Sequence, residues 1–227
     1  MSRTIQIAID GPSGAGKSTM ARLLAQQLRF VYVDTGAMYR AVGLFAQLAG
    51  VEEEEIEAIL PMLNEIQIDI QYVDGNQRIF LGGEDVSEAV RTEKSGRYAS
   101  AVSALPAVRQ FLLGLQRRLA ENQNVIMDGR DIGTVILPQA QVKIFLTASP
   151  EERARRRFAE LRQKGQPADY DQVYQDLLER DQRDSRRTAA PLRPAADAVT
   201  LDATAYSLEE TLERMKQIIG EKTGYAV

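Results

Sequence analysis

The segment that most limits what this chain can fold into is Asp10-Gly11-Pro12-Ser13-Gly14-Ala15-Gly16-Lys17-Ser18-Thr19, with an apolar run at residues 5–9 before it and an amphipathic stretch after it. The spacing G-x-x-x-x-G-K-[ST] between a strand and a helix makes a phosphate-cradling loop. Gly11, Gly14 and Gly16 let the backbone curl until several N–H groups face one centre, with no side chain in the way of the phosphates. The helix that follows adds its positive end. Lys17 brings a point charge to the β- and γ-phosphates, and the Ser18 hydroxyl is placed to ligate magnesium. Gly11, Pro12, Ser13, Gly14, Ala15, Gly16, Lys17, Ser18 and Thr19 are therefore the candidate residues for binding ATP.

Such a loop belongs at the edge of a parallel sheet, and the chain supplies one. Apolar runs at residues 5–9, 30–33, 125–127, 142–146 and 198–201 read as five strands, mostly separated by helix-period segments. The fold class is α/β, a five-stranded parallel sheet with helices on both faces. In the first helix, Met20, Leu23, Leu24 and Leu28 form the expected buried stripe. Ser149-Pro150-Glu151-Glu152 predicts a helix start with Ser149 as N-cap, Pro150 at N1 and Glu152 closing a capping box. Ser207-Leu208-Glu209-Glu210 repeats that spacing and opens a helix reaching about Gly220. Residues 34–103 are too long for a simple crossover, and they alternate apolar and polar residues around Asp74-Gly75-Asn76, as a β-hairpin does. They read as an insert.

Exclusions sharpen the chemistry. The chain of 227 residues has no cysteine and no histidine, which removes disulfides, thiolate catalysis and the usual general base. Its net charge of −4 argues against a nucleic-acid partner. The opening MSRTIQIAID lacks the apolar run of a signal peptide, and no stretch approaches the ~18 apolar residues of a membrane span. A cytoplasmic monomer with no membrane partner is expected. Chemistry must run on arginine, lysine, carboxylates, hydroxyls, backbone amides and a hard cation.

Three clusters supply those groups. Asp128 closes the apolar run NVIMD, as an acid on the magnesium side of such a site would, directly or through water. Arg130 and Asp131 follow it in DGRDIG, just past a strand end, where open α/β sheets bind ligands. Arg153, Arg156 and Arg157 stand on one helix face beside Arg155. They read either as a solvated face paired with nearby glutamates or as a mobile arginine lid over a triphosphate. Arg180, Arg183, Asp184 and Arg187 share a second face, which fits either a salt-bridge ladder or a site for a second phosphorylated ligand. Two anion sites and no N-K-x-D guanine motif suit a small kinase better than a GTPase or motor. A kinase for another small acceptor and an ATP-driven switch protein are the competing readings.

The motifs IDGPSGAGKST, DTGAMYRA, GEDVSEAVRT, VIMDGRDIGTVILPQAQVKIFLTAS and ERDQRDSRRTAAPLRPAADAVTLD together resemble the bacterial cytidylate kinases, within the nucleoside-monophosphate kinases. The resemblance spans essentially the whole chain. It implies transfer of the γ-phosphoryl group of ATP to CMP or dCMP with Mg2+. It implies a core of residues 1–33, 104–150 and 168–227, an inserted monophosphate-binding domain at 34–103 and a lid at 151–167. Under it, Arg40 and Arg130 hold the acceptor phosphate, with Tyr39 near the acceptor. Ser100, Arg109 and Asp131 face the cytosine, with Thr35 and Arg187 close by, and Arg180 and Asp184 reach the sugar hydroxyls. Arg153 and Arg157, with Lys17 and Arg130, act on the transferring group. Cytosine presents a ring acceptor and an exocyclic donor, so a pocket with both Arg109 and Asp131 disfavours uracil by roughly 1–3 kcal/mol.

Overall fold

The computed structural model describes residues 4–73 and 75–225. In chain order the elements are β1 (Gln6–Asp10), α1 (Lys17–Leu28), β2 (Val31–Asp34), α2 (Thr35–Leu48), β3 (Ile68–Val73), β4 (Asn76–Leu81) and β5 (Glu84–Asp85). There follow α3 (Glu93–Ser103), α4 (Pro106–Arg118), β6 (Val125–Gly129), β7 (Val142–Thr147), α5 (Pro150–Gln163), α6 (Tyr170–Arg186), β8 (Val199–Asp202) and α7 (Leu208–Thr223). A π-helical turn, Ile132–Ile136, lies between β6 and β7.

Five strands form one sheet in the order β2-β6-β1-β7-β8. The pairs β1–β6, β1–β7 and β7–β8 are parallel. Each of the five expected strands is present and ends one or two residues beyond its apolar run. The ladder continues into polar ends, Asp10, Asp34, Asp128-Gly129, Thr147 and Asp202, because backbone pairing does not stop where burial stops. The first strand sits between β6 and β7, where the strand order reverses, which is where open α/β sheets bind ligands beyond the carboxyl ends.

The chain folds as two compact units, one formed up to Phe30 and from Gln123 onward, the other by Val31–Asn122. In the first, Ile7, Ile9, Ile126, Ile144 and Leu146 are at most 1% exposed, so the central strands read as continuous apolar runs covered on both faces. Helix α1 buries Lys17, Met20, Ala21, Leu24, Ala25 and Leu28. Leu23, expected on this stripe, is only half-buried. The stripe advances by threes and fours through 17, 20, 21, 24, 25 and 28, and position 23 lies on its flank.

Two helix starts behave differently. In α7 the Ser207 side chain accepts from Glu210 N–H and the Glu210 carboxylate accepts from Ser207 N–H, a complete capping box. That helix runs past Gly220 to Thr223, and the left-handed terminator is Gly224, at φ 67°. In α5, Ser149 accepts from Glu152 N–H at 3.2 Å, with Pro150 in the first turn. The box does not close. Ser149 N–H donates to Thr204 Oγ1 at 2.8 Å, and the Glu152 carboxylate takes Arg155 at 2.7 Å and Arg156 at 2.8 Å. Two guanidinium partners outcompete one backbone N–H.

The second unit carries the expected hairpin. Strands β3 and β4 pair antiparallel with Val73 opposite Asn76, and Asp74, at the expected turn, lies outside the described residues. Strand β5 extends this sheet along β4. Helix α2 is capped by Asp34, whose side chain accepts from Ala37 N–H at 3.0 Å. It packs on α3 at Gly43, where an added Cβ would lie 2.8 Å from Tyr98 Cβ and 3.2 Å from Ala99 N. Elsewhere in a helix, alanine would gain about 1 kcal/mol over glycine. Here it must push two helices apart, at a cost of about 1–3 kcal/mol. We expect G43A to lower stability by about 1 kcal/mol net, read by urea unfolding, where an open helix position would gain.

Candidate active site

The phosphate loop is built on a backbone contact. Gly11 has φ 149°, and a Cβ there would lie 1.9 Å from Leu146 O, so no other residue lets the loop rest on the end of β7. Gly14 rests on α5 in the same way, its missing Cβ 3.1 Å from both Cβ and O of Arg153. Lys17 opens α1 with its Nζ folded back to donate to Pro12 O at 2.6 Å, and Ser18 Oγ donates to Asp128 Oδ2 at 2.7 Å. Burial, together with the nearby charges of Arg130 and Arg180, holds the Lys17 ammonium pKa well below its ordinary range, while Asp128 and Asp10 partly offset this. A bound polyphosphate would supply the missing negative charge.

Register explains how the acids around the loop divide. Ile9 lies opposite Asp128, and Asp10 lies opposite Gly129. Because side chains alternate along a strand, Asp10 and Asp128 project to opposite faces of the sheet. Asp128 meets Ser18; Asp10 turns instead to the segment after Arg130 and accepts from Ile132 N–H at 2.7 Å and Gly133 N–H at 2.8 Å. Burial pushes the Asp10 carboxyl up to about 6, against those two hydrogen bonds, which pull it down. Asp10 opens the phosphate-loop segment in the sequence with no role of its own assigned to it there. The repeat of an apolar run ending in Asp-Gly, at 10–11 and again at 128–129, was the available signal.

In the arginine helix Arg155, Arg156 and Arg157 pair with Glu152 and Glu160, while Arg153 is buried in a way neither expected reading foresaw. Arg155 grips Glu152 with two donors at 2.7 Å, and Arg156 binds Glu152 and Ala203 O, so these two are a paired face. Arg153 is 3% exposed and held at three points: Nε to Ala148 O at 3.0 Å, Nη1 to Ser13 O at 3.0 Å and Nη2 to Asp181 at 2.7 Å. It therefore clamps the phosphate loop, the end of β7 and α6 together. Arg157 is half-buried and donates to Glu160 at 2.8 Å.

Helix α6 brings Arg180 and Asp184 to one face but leaves Arg183 exposed. The inward stripe is Leu177, Arg180, Asp181 and Asp184, from which Arg183 is turned away. Arg187 sits just past the helix end and stands 3.8 Å from Asp184 Oδ1 and 4.0 Å from Asp131 Oδ1. Arg130 Nε donates to Asp184 Oδ2 at 2.9 Å. Burial alone would raise the Asp184 carboxyl, but Arg130, Arg180 and Arg187 hold it below its ordinary range. Asp131 is 3% exposed, so DGRDIG and the end of α6 form one buried arrangement of alternating charge.

In the unit 31–122, Asp34 pairs with Arg40 at 2.7 Å. Thr35 is buried at the start of α2. The Arg109 guanidinium lies 5.5 Å from the Tyr39 ring centroid, within cation–π range, and donates to Ser103 O at 3.2 Å. Ser100 is buried in α3 and its carbonyl accepts from Ser103 Oγ at 2.9 Å. Sequence reading missed Asp34 and Asp181, acids that hold Arg40 and Arg153.

The cytidylate kinase family model matches residues 7–221. The chain belongs to the cytidylate kinase family. It is 50% identical over 216 residues to a cytidylate kinase of Caldicellulosiruptor bescii, covering 95% of this chain and 96% of that one. It is 49% identical over 222 residues to a cytidylate kinase of Syntrophotalea carbinolica, covering 98% and 94%. Among solved structures, an uncharacterized protein from Eubacterium ventriosum matches at 12% identity with a TM-score of 0.51, covering 96% of this chain and 99% of that one, a likeness of fold. Membership makes the chain a nucleoside-monophosphate kinase. Among the described residues no helix is long and apolar enough to cross a membrane.

The buried charges give a pH test. Removing Asp184's charge takes from Arg130 its carboxylate partner and from Arg187 one of two, so D184N is expected to cost about 3 kcal/mol at pH 7. A carboxyl whose folded pKa is depressed stabilises above its unfolded pKa of about 4, and that contribution is lost as pH falls through the folded value. The gap between wild type and D184N, followed by denaturant unfolding, should hold between pH 5 and 8 and close below about pH 4.

Proposed function

We propose that this chain, a cytoplasmic monomer, transfers the γ-phosphoryl group of ATP to CMP and dCMP, giving CDP or dCDP and ADP. The observation that carries the reading is the phosphate loop and a buried Arg–Asp cluster at one sheet edge, in a chain that matches the cytidylate kinase family along residues 7–221. A kinase for a different acceptor, or an ATP switch, would not account for that match.

In the proposed mechanism, the loop N–H groups and Lys17 hold the β- and γ-phosphates. An oxygen of the CMP phosphate attacks the γ-phosphorus as its bond to the β-phosphate oxygen breaks. Residues 34–103 would serve as the acceptor domain and 151–167 as the lid on a core of 1–33, 104–150 and 168–227. Arg40 and Arg130 would take the acceptor phosphate, with Tyr39 beside it. Ser100, Arg109 and Asp131 would read the cytosine, with Thr35 and Arg187 adjacent, and Arg180 and Asp184 would hold the sugar. Alignment and charge neutralisation carry most of such a reaction, which suits a chain without histidine.

The donor set around Ser18 fits Mg2+, a hard cation that takes one or two protein oxygens and fills the rest from phosphates and water. Among the described residues no cluster of three or more metal-ligating side chains offers a protein cage. Ser18 and Asp128 would hold the ion, Asp128 directly or through water, and the ion would neutralise phosphate charge. For the lid, Arg157 is the arginine proposed to meet the transferring group, while Arg153 keeps the loop in place.

Two measurements test this. A coupled diphosphate assay with ATP, Mg2+ and each monophosphate should show strong turnover with CMP and dCMP, weak with UMP and near none with purines. Steady ATP hydrolysis without transfer to any monophosphate would overturn it. In the same assay R157A should lower kcat on the order of 10³-fold, as loss of an arginine finger does. R153A should act mainly on stability and the KM for ATP.

A further inference from the structure

Asp10 is a buried acid for which the proposed reaction has no use. It is 4% exposed, and its two oxygens accept from consecutive backbone N–H groups, Ile132 at 2.7 Å and Gly133 at 2.8 Å. These open the turn Ile132–Ile136 that follows Arg130 and Asp131. The first N–H groups of a helical turn have no partner within the turn, and the preceding side chain ordinarily accepts from one of them. Asp131 occupies that preceding position, yet its carboxylate makes no cap hydrogen bond. The cap arrives instead from β1, 122 and 123 residues away. The approach is close: a Cβ at Gly133 would lie 3.3 Å from Asp10 Oδ2 and 3.1 Å from Lys143 Cδ.

We propose that Asp10 is a positioning residue for the acceptor nucleotide: it caps the 132–136 turn in place of Asp131, fixing the backbone that presents Arg130 and Asp131. Its own strand leads into the donor loop, so one side chain ties the two substrate-binding segments of this unit to one another. The selectivity part of this inference rests on the reading that Asp131 faces the cytosine. The capping part does not.

D10N keeps the shape but replaces one acceptor oxygen with an NH2 group, leaving one of the two N–H groups without its acceptor. Amide hydrogen exchange at Ile132 or at Gly133, whichever N–H loses its acceptor, should then accelerate about tenfold or more, the scale of one lost hydrogen bond, with Ile126 and Met127 in β6 unchanged. The KM for CMP should rise about tenfold and the CMP-over-UMP ratio of kcat/KM should fall by a similar factor, with the KM for ATP within about twofold. Unchanged exchange at both amides overturns the proposal, as does an ATP KM that rises as far as that for CMP. D131N separates the two readings. If D131N relaxes discrimination and D10N does not, the positioning role fails and the cytosine assignment stands. If D131N leaves discrimination intact, the assignment of Asp131 and the selectivity part of this proposal both fall, and exchange alone decides the capping. Should D10N not fold, G133A presses on the same pair from the other end and is read by the same exchange and kinetics.

Discussion

The site depends on a place where two backbones come too close for any side chain. Position 11 has room for a hydrogen and nothing larger above the Leu146 carbonyl. That contact seats the loop on the end of β7, so its N–H groups can turn outward to a ligand. Once seated, the loop is held from below by Arg153, which bonds Ser13 O and Ala148 O together. Lys17 and Ser18 follow in the first turn of α1, whose apolar stripe fixes them to the sheet. The chain of cause runs from one missing Cβ to the placing of a lysine and a hydroxyl.

Around that seat the molecule buries charge in balanced form. Arg153 answers Asp181, and Arg130 and Arg187 answer Asp184. A buried pair adds little net stability over apolar packing, but breaking one is costly, so such pairs hold geometry more than they hold the fold. Lys17 is the exception in kind: burial and like charges depress its pKa, and its strongest complement would be a polyphosphate. Stability and binding therefore use the same groups with opposite emphasis.

Much of this was legible in the residues. Five apolar runs became five strands, and the Ser207 box and the 68–81 hairpin formed where spacing placed them. What could not be read were choices between equivalent partners. Glu152 had the spacing to cap Ser149 and took Arg155 and Arg156. Arg183 had the spacing to join Arg180 and Asp184 and points to solvent, because Asp181 holds the inward place. Arg153 read as one of four lid arginines, and only tertiary structure distinguishes the buried clamp from its exposed neighbours. For Asp10 the repeated Asp-Gly strand end was legible but its partners were not, since they are backbone groups more than a hundred residues away.

The threefold tie of Arg153 also sets where motion can occur. Lifting the root of α5 as a rigid body would break its ion pair with Asp181 and its hydrogen bonds to Ser13 O and Ala148 O at once. The arginine-rich helix is anchored at its N-terminal root by the same side chain that seats the phosphate loop, so loop and helix share one fastening.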